Sequence, residues 1–391
     1  MILDKTNTEF EVCLQGEILL SDISGWKYFL NQKYKKYLLN SVYFDTDNFT
    51  LLKNHLGLRL RYESTNWVQT LKLELPDHSR FEWNEHLDNN TSKFTPRLNP
   101  LFFPSEKDLI SKNCHIGSSL RDLYCSLKPR FYVNVERVTW KINFHDGLIE
   151  VSIDHGLITN KAKKTTVSEI ELELLEGPPY LLWLFAKRII TGFPQLRFEF
   201  RSKVFRGFLL FDFNSDNFFY EKKAYLSKKN NLKITTKEII LSKTKSFSFF
   251  AELILQNPDS HFLKIFNQTI FELNNFFKCL ISSKKYSRKT LKNFYYFNNQ
   301  FTYLINLISA INKIDAKSYI THNPKKTTEQ QRSILLWRKT QLVKLKKILS
   351  NPRITKLIAD LGLFANTMPD KLGNKELKST ILLKNIYKNI S

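Results

Sequence analysis

The sequence predicts an α+β fold, with antiparallel β-strands in the first half of the chain and an α-helical bundle in the second. Three observations carry this. Charged and apolar residues alternate singly through much of residues 1–212. From about residue 245, apolar residues recur at three- and four-residue steps instead. A Lys- and Asn-rich stretch, 222–235, separates the two patterns. A period of two is the signature of a strand and a period near 3.6 that of a helix. The expected layout is a first domain over 1–212, a linker over 213–244 and a second domain over 245–391.

The strands follow in order. Glu9, Glu11, Cys13 and Gln15 alternate with Phe10, Val12 and Leu14. Arg59, Arg61 and Glu63 alternate with Leu58, Leu60 and Tyr62, and Thr70, Lys72 and Glu74 with Leu71, Leu73 and Leu75. Arg80, Glu82, Asn84 and His86 alternate with Phe81 and Trp83. Residues 131–143 form a long aromatic and β-branched run. Glu150, Ser152 and Asp154 alternate with Ile149, Val151 and Ile153, and Glu169, Glu171 and Glu173 with Ile170, Leu172 and Leu174. Two helices interrupt this series. Residues 21–30 fit a short one. Pro178-Pro179 start another over 180–191, with Leu181, Leu184, Phe185 and Ile189 on one face, and Gly192 and Pro194 end it.

Alternation alone describes a one-sided sheet with its charges in water. Here the charges segregate. Glu9 goes with Glu11, Glu169 with Glu171 and Glu173, and Arg59 with Arg61. Like charges two residues apart on one strand repel unless an opposite charge or a metal lies between them. Strands with paired acids and strands with paired bases around one lumen form a polar channel suited to a metal-bound anion.

The second half is helical. Phe262, Ile265, Phe266, Leu273, Phe276, Phe277 and Leu280 make one apolar stripe, and Leu291, Phe294, Phe301, Leu304 and Leu307 a second. Residues 327–349 and 351–364 are also helix-like. These stripes are core, and no ligand is assigned to them.

Hydrophobic residues are 42% of the 391 and charged residues 25%, so the chain can bury a core and wholesale disorder is excluded. The first residues show no basic-then-apolar leader, and the best apolar run, 181–193, is broken by Lys187 and Arg188. A cytoplasmic protein with no membrane partner is expected. Cys13, Cys114, Cys125 and Cys279 form no CxxC pair, which leaves a zinc site or disulfide framework unsupported. Net charge is +23 and unevenly spread. Residues 1–215 hold 28 Lys/Arg and 26 Asp/Glu, whereas residues 216–391 hold 32 and 11. The basic half suggests an anionic partner, although drift toward Lys, Asn, Ile and Phe gives the same composition.

In order along the chain come Glu9-Phe10-Glu11; Tyr43-Phe44-Asp45-Thr46; Gly57-Leu58-Arg59-Leu60-Arg61; Gln69-Thr70-Leu71-Lys72; Arg80-Phe81-Glu82-Trp83; Arg137 with Trp140; 149–156 around Glu150 and Asp154; Glu169-Ile170-Glu171-Leu172-Glu173; and Ser202-Lys203 with Arg206-Gly207. This series resembles the CYTH family, the triphosphate tunnel metalloenzymes, over residues 1 to about 212. Within it, the arrangement is similar to members that carry a C-terminal helical CHAD domain.

The resemblance implies an eight-stranded antiparallel β-barrel that binds a triphosphate with Mg²⁺ or Mn²⁺ and hydrolyses inorganic triphosphate (tripolyphosphate). Arg59, Arg61, Lys72, Arg137 and Lys203 would then bind the substrate. Lys72, Arg137, Lys203 and Glu82 would serve catalysis, with Glu82 orienting the basic side chains or forming a structural salt bridge. Glu9 and Glu11 would hold one metal. Asp154 with two of Glu169, Glu171 and Glu173 would hold a second that activates water, and the match at the segment's start favours Glu169 and Glu171. The physical chemistry agrees: a tripolyphosphate carries about four to five negative charges and cannot enter a low-dielectric channel unpaired.

One position departs from the family. Its motif is Glu-x-Glu-x-Lys, and Cys13 stands where the lysine belongs. Weakened hydrolysis, compensation by Lys5 or another base, and binding of polyphosphate without hydrolysis are the three readings. Cysteine catalysis is disfavoured, because nearby carboxylates raise a thiol pKa. Thiamine triphosphatase and class IV adenylate cyclase share the barrel, so the organic part of the substrate stays open. The basic half suits a divergent CHAD-like bundle that binds polyphosphate, but it has no His-x-x-Arg-Val-like segment. Nucleic acid is a weaker candidate partner, since zinc-finger and RRM signatures are absent.

Overall fold

The computed structural model describes residues 10–63, 66–74, 80–87, 97–111, 114, 116, 119–211, 236–256, 258, 260–282, 288–318 and 329–367. Glu9, Lys5 and the whole 222–235 stretch lie outside them.

Nine strands form one sheet: β1 Glu11–Gln15, β2 Tyr34–Asp45, β3 Leu56–Glu63, β4 Asn66–Glu74, β5 Arg80–Leu87, β6 Lys128–Phe144, β7 Gly147–Thr159, β8 Lys164–Glu176 and β9 Arg197–Phe198. The hydrogen-bonded order is β5-β4-β3-β2-β6-β7-β8-β1-β9, and each ladder from β5 to β1 is antiparallel. The antiparallel sheet followed by helices is therefore as expected, but the closed eight-stranded barrel is not. The order is linear, with β5 at one edge and the two-residue β9 at the other. Among the described residues no ladder joins these edges, and closure requires that last row of backbone bonds.

By contacts the chain divides into two compact units, Met1–Ala186 with Glu199–Leu232, and Lys187–Phe198 with Lys233–Ser391. In the first unit the sheet buries one face in two places. Leu58, Leu60, Leu71 and Leu73 pack with Leu51, Leu98, Phe103, Leu109 and Leu120. Further along, Trp140 and Phe144 meet Phe29 and Phe185, with Phe144 and Phe185 at 4.7 Å between ring centres. Each such side chain contributes roughly 1.5–3 kcal/mol by leaving water. The expected helix over 21–30 is shorter, α1 Leu20–Ser24, and continues as turns through Leu30. Four further short helices lie in the connections: α2 Thr50–Lys53, α3 Glu106–Ser111, α4 Leu120–Leu123 and, after β9, α6 Lys203–Phe208. The helix started by Pro178-Pro179 is α5, Tyr180–Gly192.

The second unit holds α7 Thr236–Gln256, α8 Ser260–Ser282, α9 Arg288–Ser318, α10 Glu329–Leu349 and α11 Pro352–Thr367. Helix α7 begins ahead of residue 245. The buried stripe of α8 is Leu263, Phe266, Ile270, Leu273 and Phe277, and that of α9 is Phe294, Phe297, Phe301, Leu304, Ile308 and Ile311. Phe277 meets Phe294, Phe297 and Phe301 within 6.2 Å. Phe262, Ile265 and Phe276 sit at the margin of the α8 stripe rather than in it, because the helix turns by 100° per residue and its centre falls one position away. Among the described residues, no helix is long and apolar enough to cross a membrane.

Candidate active site

Side chains directly opposite each other in a ladder share a face of the sheet, so the register assigns faces across all of β5 to β1. Glu82 faces Lys72. Lys72 faces Gly57, two residues from Arg59. Arg59 faces Tyr43 and Arg61 faces Ser41. On the same face of β2 but across its other edge, Tyr37 faces Arg137, and Arg137 faces Asp154. Asp154 faces Glu169 and Ser152 faces Glu171. Finally Glu169, Glu171 and Glu173 face Gln15, Cys13 and Glu11. Every candidate within the sheet that lies among the described residues is thus on one face. The cations Arg59, Arg61 and Lys72 form one wing and the acids the other.

The sheet curls to bring the wings together. Lys72 and Glu171 are five strands apart in the order, about 24 Å if the sheet were flat. Yet the Lys72 charge is one of the forces that lower the Glu171 pKa.

The acidic wing is frustrated as a bare sheet. Glu11 lies opposite Glu173, Glu150 opposite Glu173, and Asp154 opposite Glu169. Directly opposed like charges are destabilising, so cations must be drawn in. Arg137 donates from Nε and Nη2 to both Asp154 oxygens at 2.7 Å, and from Nη2 to Glu171. Lys203 Nζ lies 2.8 Å from Asp154 and 2.5 Å from Glu171, and also pairs with Glu169. Arg206 pairs with Glu169. Asp154 and Glu169 have no exposed surface. One carboxylate oxygen each from Asp154, Glu169 and Glu171 lies within 4.8 Å of the others. Glu173 is not part of this cluster.

Ionisation states follow from these pairings. Burial works against the Glu171 carboxylate, but Arg137 and Lys203 hold its pKa well below the usual range. Burial likewise opposes ionised Asp154, and Lys203 and Arg137 overcome it. Burial would pull the Lys203 ammonium down, but Glu169, Glu171 and Asp154 push it well above its ordinary value. The Cys13 thiol is pushed well up, by burial first and then by Glu169 and Glu171, against Lys203 and Arg206. A thiolate nucleophile is therefore disfavoured at position 13.

Lys203 and Arg206 come from helix α6, whose placement has a local cause. The Ser202 hydroxyl caps it by accepting from Phe205 N–H at 3.1 Å. Gly207 lies so close to Phe131 that a Cβ there would be 2.3 Å from the ring. The helix is thereby seated on β6 with Lys203 and Arg206 among the acids.

The basic wing is ordered by neutral groups and one acid. Arg61 Nε donates to Ser41 Oγ at 3.0 Å, and Arg59 Nη2 reaches Thr70 Oγ1 at 3.4 Å. Lys72 pairs with Glu82, whose other oxygen accepts from Asn84 at 3.3 Å. The Arg59 Nε–H is buried with no acceptor.

Sequence reasoning quoted Arg206 but assigned it no role, and it expected Lys203 and Arg137 against phosphate rather than against carboxylates. It also missed Glu199–Arg201, a buried pair at 2.6 Å beside Gln15. Such pairings join residues far apart in sequence and leave no local pattern; only the bases in a motif rich in opposing acids hinted at them. Hard carboxylate oxygens in a compact trio are the donor set that Mg²⁺ or Mn²⁺ takes, so these residues fit such an ion.

Residues 29–208 match the model of the CYTH domain. An inorganic triphosphatase of Haemophilus influenzae is 28% identical over 189 residues, which are 46% of this chain and 47% of that protein. The chain thus spans about half the length of that curated relative. Among solved structures, a protein proposed to be an adenylate cyclase from Bacillus halodurans is 20% identical, with 48% of this chain and 91% of that one covered and a TM-score of 0.33. A proposed adenylyl cyclase from Hippeastrum, described as having a dominant triphosphatase activity, is 17% identical, with 51% and 95% covered and a TM-score of 0.34. At these scores neither structural likeness bears on the argument.

Proposed function

We propose that this chain, through its CYTH domain, hydrolyses inorganic triphosphate to diphosphate and phosphate in a metal-dependent reaction. The observation that carries the reading is the shared face: a wing of Arg59, Arg61 and Lys72 opposes a wing of Asp154, Glu169 and Glu171. A phosphate chain lies against the cations, with the arginines suited to paired contacts on phosphate oxygens. Glu82 holds Lys72 in place. Asp154, Glu169 and Glu171 would hold one Mg²⁺ or Mn²⁺, and Glu11, with Glu9 ahead of it in sequence, a second. When bound, such ions neutralise phosphate oxygens and make water a better nucleophile. Arg137 orients Asp154 and Glu171. Burial of Asp154 and Glu169 limits bulk water and strengthens their charge interactions.

We assign the reaction to residues 1–212, and to the basic remainder an affinity for anionic polymers, by charge and position. The CHAD-like reading rests on those two features alone. Four free cysteines suit a reducing compartment such as the cytoplasm. The second reading, polyphosphate binding without turnover, is favoured by one residue, Cys13 in place of a phosphate-contacting lysine.

The test is phosphate release from tripolyphosphate with Mg²⁺ or Mn²⁺, run beside ATP and thiamine triphosphate. Release should require the metal and be fastest with tripolyphosphate. Glu171→Gln and Glu9→Gln should each lower it about 100-fold or more. Tripolyphosphate binding with no release under any metal or pH would establish the second reading.

A further inference from the structure

We propose that Lys203 is a built-in substitute for the divalent cation, so that metal and triphosphate load the site cooperatively. The proposal rests on the metal-dependent reading above and adds how the site is filled.

The geometry places one ammonium where a metal would go. Lys203 Nζ contacts Asp154 and Glu171 at 2.8 and 2.5 Å and also pairs with Glu169. These are the same three residues whose oxygens form the compact trio. A metal ion and this ammonium compete for one set of oxygens and cannot both hold it.

The charges give the competition a direction. Three carboxylates, Asp154, Glu169 and Glu171, pair with three cations, Arg137, Lys203 and Arg206. The cluster is neutral as it stands. A dication entering alone displaces the ammonium and leaves a buried excess of two positive charges, which burial penalises. A triphosphate supplies the missing negative charge and accepts the displaced ammonium. Each ligand therefore raises the affinity of the other, and by linkage the effect is equal in both directions. Lys203 changes partner from carboxylate to phosphate, which reconciles its position against acids with a role in substrate binding. Arg137 and Arg206 contact fewer of the trio and stay as fixed counter-charges.

The test measures Mn²⁺ binding to the full chain by the loss of its free-ion electron paramagnetic resonance signal. Wild type, Lys203→Met and Lys203→Gln are compared, each with and without a methylene-bridged triphosphate analogue. Wild type should bind Mn²⁺ weakly alone and about tenfold or more tightly with the analogue. Either folded Lys203 variant should bind Mn²⁺ alone about tenfold more tightly than wild type, and gain less from the analogue. Circular dichroism establishes which variants are folded, and the two side chains differ in hydrogen bonding so that one can serve where the other does not. Glu171→Gln should abolish the tight binding and so locate it. Wild type binding Mn²⁺ while both variants bind it no more tightly overturns the role of Lys203 and leaves the metal reading standing. No Mn²⁺ binding by any form, with or without the analogue, overturns both.

Discussion

Cys13 lies across the β1–β8 ladder from Glu171, and its neighbours explain how a cation can be absent there. Lys203 and Arg206 both act on the position electrostatically, and Arg206 reaches Glu169 directly. The acids are already balanced without a lysine at residue 13. A lysine at that position would still add a contact to phosphate, and one charge-assisted contact is worth about 1.5–3 kcal/mol. Cys13→Lys should therefore raise the rate of tripolyphosphate hydrolysis about tenfold at saturating metal, in a phosphate-release assay. An unchanged or lower rate would mean that the cluster has no room or charge to spare. The acids were legible in the sequence because period-two spacing puts Glu169 and Glu171 on one side of a strand whatever the fold. The preference for Glu169 and Glu171 over Glu173 came from the family resemblance and not from the spacing, since in the fold it depends on Lys203 arriving from a later helix.

At the scale of elements, the critical piece is α6, only six residues long. A helix this short has almost no stability of its own. It is held by its Ser202 cap, by Gly207 against Phe131, and by ion pairs at Lys203 and Arg206. Gly207→Ala should push a methyl into the Phe131 ring and cost about 2–3 kcal/mol by overpacking. Thermal melting should show the loss. Hydrolysis should fall further than stability alone explains, because both cations move with the helix. A melting curve identical to wild type would mean that Phe131 yields easily. The strands could be read from alternation and the long helices from their stripes. Strand closure could not: it depends on which edges meet, and β9, a two-residue strand at one edge, is too short to carry any periodicity.

Taken whole, the molecule stores stability in buried ionised acids. Glu171 and Asp154 have pKa values below their ordinary range when folded. The unfolded chain then binds protons more readily than the folded one in acid, so stability rises with pH through this window. Their contribution is fully present above the unfolded value of about 4 and is lost as pH falls through the lower folded values. Urea unfolding from pH 7 to pH 3 should show wild type more stable than Glu171→Gln at neutrality, with the gap closing below about pH 4. Parallel profiles would show that Glu171 gains nothing from its ion pairs. The net charge, +23 at pH 7, grows in acid and adds general repulsion, but it does so almost equally in both proteins.

The ladder running unbroken from β5 to β1 also makes the molecule sensitive to parity. Sliding one strand by two residues keeps its charged and greasy sides where they were and moves the chemistry along by one step. Sliding it by one exchanges the sides outright. For β8 that exchange would turn Glu169 and Glu171 toward the space held by Ile170 and Leu172, both fully buried. Length changes within these strands are consequently tolerable in even numbers, while odd ones must be absorbed by a bulge such as the one between Tyr43 and Phe44.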